Sequence, residues 1–108
     1  MVVSAKGEMV CNYRRMSTGW KVPGLCKVYT EGDGCCVLET DGKSFSVMLC
    51  GDLWTDSVTE KLGDVGIDAV LWPVYTDFPA DEWNVWEKFE YAQQVEKYCK
   101  RALLVNCV

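Results

Sequence analysis

Apolar and polar residues along the first half of the chain alternate in a way that predicts β-hairpins. Residues 1–5 and 9–13 are apolar runs separated by a turn, which predicts one pair of short strands. Residues 35–40 and 43–49 flank Asp41-Gly42, a dipeptide typical of two-residue hairpin turns, and predict a second pair. The pattern therefore indicates that the strands in the first half of the chain pair mainly in antiparallel fashion.

The pattern then changes to one that predicts parallel strands. The last hairpin strand ends in a nearly continuous apolar run up to Cys50, as in a strand covered on both faces. A capping-box pair and an apolar helical period predict a helix over about 57–65, which ends near Gly63 or Gly66. A further buried strand over 67–72 is expected to end at Pro73. Strand, crossover helix and strand form a right-handed βαβ unit.

The last third of the chain predicts one long helix and a final strand. Acidic residues and Pro79 mark a helix start within 77–82, and an apolar stripe continues to about Lys100. This stripe is interpreted as core packing rather than a cofactor site, and its members are Trp83, Trp86, Phe89, Ala92, Val95 and Cys99. Residues 102–108 predict the final strand, residues 17–25 a loop, and residues 27–30 a short strand.

Composition narrows the classes of protein that fit this pattern. The chain has 108 residues, 49% of them hydrophobic, which suits one domain with a core. Its net charge of -5 disfavours nucleic acid and anionic membranes as partners. No apolar run is long enough to span a membrane, and no secretory signal is recognised, so a cytoplasmic protein is expected.

The positions of the cysteines single out Cys50 as the candidate reactive residue. Seven cysteines without a secretory context disfavour a disulfide framework, and most are interpreted as small buried hydrophobic residues. The chain has no histidine and no Cys-x-x-Cys pair, which removes histidine-based catalysis and predicts no metal site. Cys50 differs because it stands between an apolar strand and a predicted helix, where a thiol can be exposed and activated.

These landmarks together resemble the carbon–nitrogen hydrolase (nitrilase/amidase) superfamily. The family's strand, Cys, variable residue and acid match Cys50-Gly51-Asp52, and its Gly-Ala-Asp landmark is similar to residues 66–68 before Pro73. The upstream GEMVCNYRRM segment and the later Ala92, Glu96 and Asn106 match in the same order. The resemblance covers essentially the whole chain. It implies an α/β fold, a partial α-β-β-α sandwich with a mixed sheet, in which residues 1–108 form one incomplete domain corresponding to the central and C-terminal part.

The resemblance also implies roles for individual residues. Cys50 would attack an amide, carbamoyl or nitrile carbon to form a thioester, and the Gly51 N–H would donate to the oxyanion. Arg15 occupies the position of the family's lysine, and Trp54 and Trp72 would line the substrate site. Asp52 is expected to have a structural role in the turn. No cofactor or metal is expected.

Two departures from the family leave the activity open. Arginine replaces lysine at position 15, and its planar guanidinium is not equivalent to an ammonium group. The family's general-base glutamate precedes the lysine by many residues, whereas only Glu8, in a predicted turn, precedes Arg15. Glu8 is not nominated as the base. The 108-residue chain alone is therefore expected to be inactive, as a fragment of a longer hydrolase.

Two alternatives from other classes remain. The chain could be a noncatalytic half-fold used for binding or assembly, because an unpaired sheet edge recruits other chains. A thiol redox protein would need only a reactive Cys50 and a resolving thiol. The expected partners are a small-molecule amide or nitrile substrate, and either a second copy, paired through the 83–99 helix by analogy with the family, or chain segments that are missing here.

Overall fold

The computed structural model describes residues 1–17, 30–63 and 65–106. In chain order its elements are β1 (Val2–Val3), β2 (Met9–Cys11), β3 (Cys36–Thr40), β4 (Lys43–Val47), a 3-10 turn (Cys50–Trp54), α1 (Asp56–Gly63), β5 (Ala69–Val74), α2 (Ala80–Glu82), a π-helical turn (Trp83–Glu87), α3 (Lys88–Glu96) and β6 (Ala102–Asn106). The segments from α2 to α3 follow one another without a break and are called the long helix. Most of the predicted 17–25 loop and 27–30 strand lies outside the described residues.

The main sheet is mixed and has the strand order β3-β4-β5-β6. β3 and β4 pair antiparallel, whereas β4 with β5 and β5 with β6 pair parallel. α1 connects β4 to β5, which confirms the predicted βαβ unit. The long helix connects β5 to β6. The result is a mixed α/β architecture compatible with a partial nitrilase-type sandwich, as predicted.

Both predicted hairpins are present. Asp41 and Gly42 join β3 to β4 with φ values of 51° and 69°, which is the left-handed backbone that a type I′ turn requires. β1 and β2 form a separate two-stranded antiparallel sheet, closed by the Ser4 N–H bond to the Glu8 carbonyl at 2.8 Å. In both places the local sequence is sufficient to determine the turn.

One continuous core holds the helices to the sheet. Val58 and Leu62 on α1 and Val95 on α3 belong to the same buried cluster as Val70 and Trp72 on β5. Burial of side chains of this size contributes about 1.5–3 kcal/mol each. The β4–β5–β6 part of the sheet is therefore the scaffold that both helices share.

Two predicted elements differ in extent from the structure, although α1 ends at Gly63, one of its two predicted stop positions. α1 begins at Asp56 and ends at Gly63, so Val65 lies beyond it and is exposed. β5 continues through Pro73 to Val74 instead of ending at the proline. A proline cannot donate to a neighbouring strand. It is tolerated here because the register with β4 ends at Leu71, so Pro73 is paired only with β6.

The predicted aromatic stripe is only partly buried. Trp86 is 70% exposed and Phe89 is 55% exposed, whereas Val95 and Cys99 are buried. The π-helical turn contains an additional residue per turn, which changes the face on which later side chains lie. The long helix also ends at Glu96 rather than near Lys100. The prediction that this stripe packs into the core is therefore wrong for Trp86, Phe89 and Ala92, all of which are exposed.

Two cysteines are paired, contrary to expectation. The structure joins Cys11 on β2 to Cys36 on β3 by a disulfide, with 6.7 Å between their Cα atoms. Cys35, Cys50 and Cys99 are free thiols. The pairing follows from contact between the two sheets, which sequence spacing does not reveal. Over the described ranges, no helix has the length and apolar character needed to cross a membrane.

Candidate functional site

The backbone after β4 turns sharply at Cys50. The Met48 N–H still bonds to the Leu71 carbonyl at 3.1 Å, and two residues later Cys50 has a φ of 46° and begins the 3-10 turn. A left-handed conformation costs a residue other than glycine about 1–2 kcal/mol. Such strain occurs preferentially at functional positions. The Cys50 thiol is only partly covered and lies 4.0 Å from the Tyr75 carbonyl oxygen.

Asp52 is the anchor of this turn. Its side chain is fully buried and accepts four hydrogen bonds. Oδ1 accepts from the Met16 and Ser17 N–H groups at 3.1 and 2.7 Å, and Oδ2 accepts from the Tyr13 hydroxyl at 2.7 Å and the Leu49 N–H at 3.1 Å. Asp52 therefore fastens the segment over 13–17 to the turn that carries Cys50. Its predicted structural role agrees with this geometry.

The same segment places Arg15 against the turn. The Arg15 Nε–H donates to the Ser17 hydroxyl at 2.7 Å. The guanidinium lies so close to Gly51 that a Cβ atom there would collide with Nη2, and it would lie 3.3 Å from the Ser17 Oγ. A side chain at position 51 would therefore displace the Arg15 guanidinium. The two segments thus bring a guanidinium to the residue that follows Cys50.

A cluster of aromatic side chains contacts the Cys50 backbone through Trp72. The Trp72 indole N–H donates to the Cys50 carbonyl at 2.9 Å. Trp54 and Tyr91 pack on this ring, with centroids 6.2 and 5.0 Å away. Burial raises the pKa of Tyr91, and the nearby Cys50 sulfur raises it further. Trp72 is fully buried and Trp54 is 44% exposed, so only Trp54 offers substantial open surface.

The ends of the other two parallel strands lie beside this turn. Asn106, at the end of β6, makes three hydrogen bonds with Thr76: Nδ2 donates to the Thr76 carbonyl and Oγ1 at 3.0 and 2.9 Å, and Oδ1 accepts from the Thr76 N–H at 3.0 Å. Because Tyr75 precedes Thr76, this pair also fixes the carbonyl that faces Cys50. Asn106, one of the resemblance landmarks, therefore has a structural role at the site.

The structure thus brings together the predicted residues Cys50, Gly51, Arg15, Trp54 and Trp72. Glu8 lies in the exposed turn between β1 and β2, and was not proposed as the base.

Sequence reasoning missed Tyr13, Ser17, Tyr75 and Tyr91. Tyr13 lies in the upstream segment that resembles the family, and this was the available signal for it. Tyr75 and Tyr91 carried no comparable signal, since each reaches the site through the packing of distant elements.

Comparisons with known proteins give one informative match. No protein-family model matches the chain, and no curated protein matches it either. Among solved structures, the glutamine-dependent NAD+ synthetase of Acinetobacter baumannii, determined in complex with ADP, is similar with a TM-score of 0.63 and 20% sequence identity. The match covers 94% of this chain and 19% of that protein. At this identity the likeness concerns the fold alone, a mixed α/β fold that is compatible with the predicted partial nitrilase-type sandwich.

Proposed function

We propose that this chain carries the nucleophile and the oxyanion site of a carbon–nitrogen hydrolase, with Cys50 as the nucleophile. The observation that carries the proposal is the left-handed Cys50 in the turn after β4, with Gly51 lying against the Arg15 guanidinium. The fold likeness supports it, since the similar synthetase is described as glutamine-dependent and glutamine has a side-chain amide.

The chemistry proposed for an amide is acyl transfer. The Cys50 thiolate forms a bond to the carbonyl carbon, and the C–N bond then breaks as the leaving nitrogen takes a proton and departs as ammonia or an amine. The thioester is hydrolysed by water to release the acid and restore the thiol. During the first step negative charge develops on the carbonyl oxygen, where the Gly51 N–H and the Arg15 guanidinium would stabilise it.

The general base is proposed to come from a segment beyond this sequence. Asp52 is unsuited to the role because its carboxylate is fully buried and accepts four hydrogen bonds. Glu8 is exposed in a hairpin turn of the other sheet. Residues 1–108 would then be one part of a larger hydrolase domain. Acylation of Cys50 would be possible in this chain, whereas amide turnover would not.

The test is to offer the purified chain an activated acyl donor and an amide panel. With p-nitrophenyl acetate we expect one acetyl group per chain at Cys50, as measured by intact mass and peptide mapping. Hydroxylamine should remove it, as it does a thioester. The amide panel should release no ammonia above the level of the Cys50→Ala control.

Cys35 provides the matched control, because it is also a free and partly covered thiol. Cys35→Ala should leave the acylation rate unchanged, whereas Cys50→Ala should abolish it. Equal acylation of Cys35 and Cys50 would refute the proposal that the Cys50 turn activates its thiol. Cys50-dependent release of ammonia from an amide would refute the proposal that the base lies elsewhere.

A noncatalytic role in assembly is a second candidate, favoured by exposed apolar surface. β6 is an edge strand, and its Leu103 and Val105 are 59% and 57% exposed. Trp86 and Phe89 are exposed on the long helix as well. We propose a homo-oligomer on these grounds. Light scattering during size-exclusion chromatography tests this, since a monomer at all concentrations would exclude it.

The redox alternative receives less support. The disulfide joins Cys11 to Cys36 and leaves Cys50 free. A redox cycle centred on Cys50 would need a partner thiol in reach.

The proposed location is the cytoplasm, on the ground of the acidic composition, and the proposed ligand is a small amide or nitrile.

A further inference from the structure

We infer that Ser17 is a positioning residue, which holds the Arg15 guanidinium against Gly51, the residue that follows Cys50, through its side-chain hydroxyl. The inference deepens the proposed function and rests on it for its catalytic meaning. The contact itself is the hydrogen bond of 2.7 Å from the Arg15 Nε–H to the Ser17 Oγ.

An arginine needs such a partner in order to act at a defined place. Its side chain has several rotatable bonds, and ordering it costs up to about 2 kcal/mol of rotamer entropy. A hydrogen bond at Nε fixes the plane of the guanidinium, because Nε and the two terminal nitrogens are coplanar. The terminal nitrogens are then directed to one side, and in this structure Nη2 lies against Gly51.

Ser17 is itself held in place by the turn that it serves. Its backbone N–H donates to Asp52 Oδ1 at 2.7 Å, and the neighbouring Met16 N–H donates to the same oxygen at 3.1 Å. Ser17 is buried, so its hydroxyl is shielded from bulk water. A chain of contacts therefore runs from Asp52 through Ser17 to Arg15 and back to Gly51. The guanidinium and the Cys50 turn are positioned by one carboxylate.

The replacement of the family's lysine by arginine gives this arrangement its significance. A lysine has a single charged nitrogen and no Nε–H branch, so it could not be oriented by a side-chain acceptor in this way. In this chain the cation and its orienting hydroxyl are two residues apart in the sequence and are joined by a direct hydrogen bond. Ser17 would thus be specific to a site built with arginine.

The charge preference of Cys50 alkylation measures the position of the guanidinium without requiring catalysis. Iodoacetate and iodoacetamide attack a thiolate in the same way, but only iodoacetate is negatively charged. A fixed cation at Gly51, one residue after Cys50, should favour iodoacetate, so we follow the ratio of the two rates at Cys50 by peptide mass spectrometry. The ratio at Cys35 in the same molecule serves as the internal reference.

Arg15→Gln and Ser17→Ala should each lower the ratio by about threefold, the factor that corresponds to a weak charge pair near the surface. Ser17→Thr keeps the hydroxyl and should restore it. In the double variant, Ser17→Ala should add nothing to Arg15→Gln. Ser46→Ala is the matched control, because it removes another buried serine hydroxyl, one that donates to the Cys36 carbonyl at 3.1 Å. It should leave the ratio unchanged.

Two results would overturn the inference. In the first, Ser17→Ala keeps the wild-type alkylation ratio although Arg15→Gln lowers it. In the second, Arg15→Gln does not change the ratio. Should Ser17→Ala fail to fold by circular dichroism, the Arg15 Nε–H signal in the wild-type NMR spectrum decides. It should exchange with water more slowly than the Nε–H of Arg101, and equal exchange would refute the contact.

The outcome is distinguishable from failure of the proposed function. A chain that is not acylated at Cys50, but whose alkylation ratio depends on Ser17, keeps the positioning role and loses the acyl-transfer function. A chain that is acylated at Cys50 with a ratio independent of Ser17 keeps the function and loses the positioning role.

Discussion

Replacement of Asp52 should be the most destabilising single change at the site that keeps side-chain size. In Asp52→Asn, one oxygen can still accept from the Met16 and Ser17 N–H groups. The new amide N–H groups, however, would face the Tyr13 hydroxyl and the Leu49 N–H, which are donors in the native structure. The Leu49 N–H thus loses its acceptor, whereas the Tyr13 hydroxyl can rotate to accept from the new amide and to donate to the Met48 sulfur, which lies 3.7 Å away.

The magnitude follows from these contacts. One donor left without a partner costs about 1–3 kcal/mol, and the bonds from the Met16 and Ser17 N–H groups weaken because their acceptor is no longer charged. Removing a buried charge recovers part of its desolvation cost, which brings the expected loss to about 1–3 kcal/mol. Domains of this size have a free energy of unfolding of about 5–15 kcal/mol, so the variant should fold but unfold at clearly lower urea concentration.

Urea denaturation followed by tryptophan fluorescence measures the change, with Asp41→Asn as the control. Asp41 is an exposed turn residue with a φ of 51°, a conformation that asparagine adopts readily, so its substitution should change stability by less than about 0.5 kcal/mol. Equal midpoints for Asp52→Asn and Asp41→Asn would refute the reasoning. Amide exchange should become faster first at Leu49, whose N–H loses its acceptor, before the sheet is affected.

Four further outcomes are expected. Cys50→Gly should be more stable than Cys50→Ala by about 1 kcal/mol in urea, because φ is 46° there; the opposite order would show that the turn is not left-handed. Burial, then the hydrogen bond to Asp52, raises the pKa of Tyr13 above its ordinary 10.0, so the neutral phenol stabilises the fold below pH 10 and this contribution is lost as the pH rises above 10. Tyr13→Phe should therefore lose less stability than wild type between neutral and strongly alkaline pH. An equal fall of the urea midpoint with pH in both proteins would contradict this. Trp86→Glu should weaken self-association at least about tenfold by light scattering if the exposed helix face is the interface, and an unchanged mass would exclude that face. Non-reducing peptide mapping should recover Cys11 linked to Cys36, and a fully alkylatable Cys11 would refute the pairing.

Local signals in the sequence predicted much of the fold. The Asp41-Gly42 turn was predictable because two consecutive left-handed residues are encoded by the dipeptide itself. The βαβ unit was predictable because a helical apolar period lies between two buried strands. The disulfide between Cys11 and Cys36 was not, since it depends on how the small hairpin packs against β3. The exposure of Trp86 was missed because a π-helical turn breaks the period from which burial was inferred.

The site divides in the same way. Cys50 could be identified from its place between a strand and a helix, and Gly51 from the motif around it. The hydrogen bonds to Asp52 could not be predicted, because the Ser17 N–H is separated from that carboxylate by 35 positions in the chain. The contact of the Arg15 guanidinium with Gly51 could not be predicted either, because it depends on how the segment over 13–17 packs on the turn that carries Cys50.

The parallel order of β4, β5 and β6 gives the molecule two unlike ends. Cys50, Thr76 and Asn106 all follow or terminate these strands, so they gather at the carboxyl edge of the sheet. The hairpin turn at Asp41-Gly42 lies at the opposite edge, because β3 runs antiparallel to β4. A fluorescent label or an inserted peptide at that turn could report on folding while leaving the thiol untouched, and new loops for a different substrate belong at the other end.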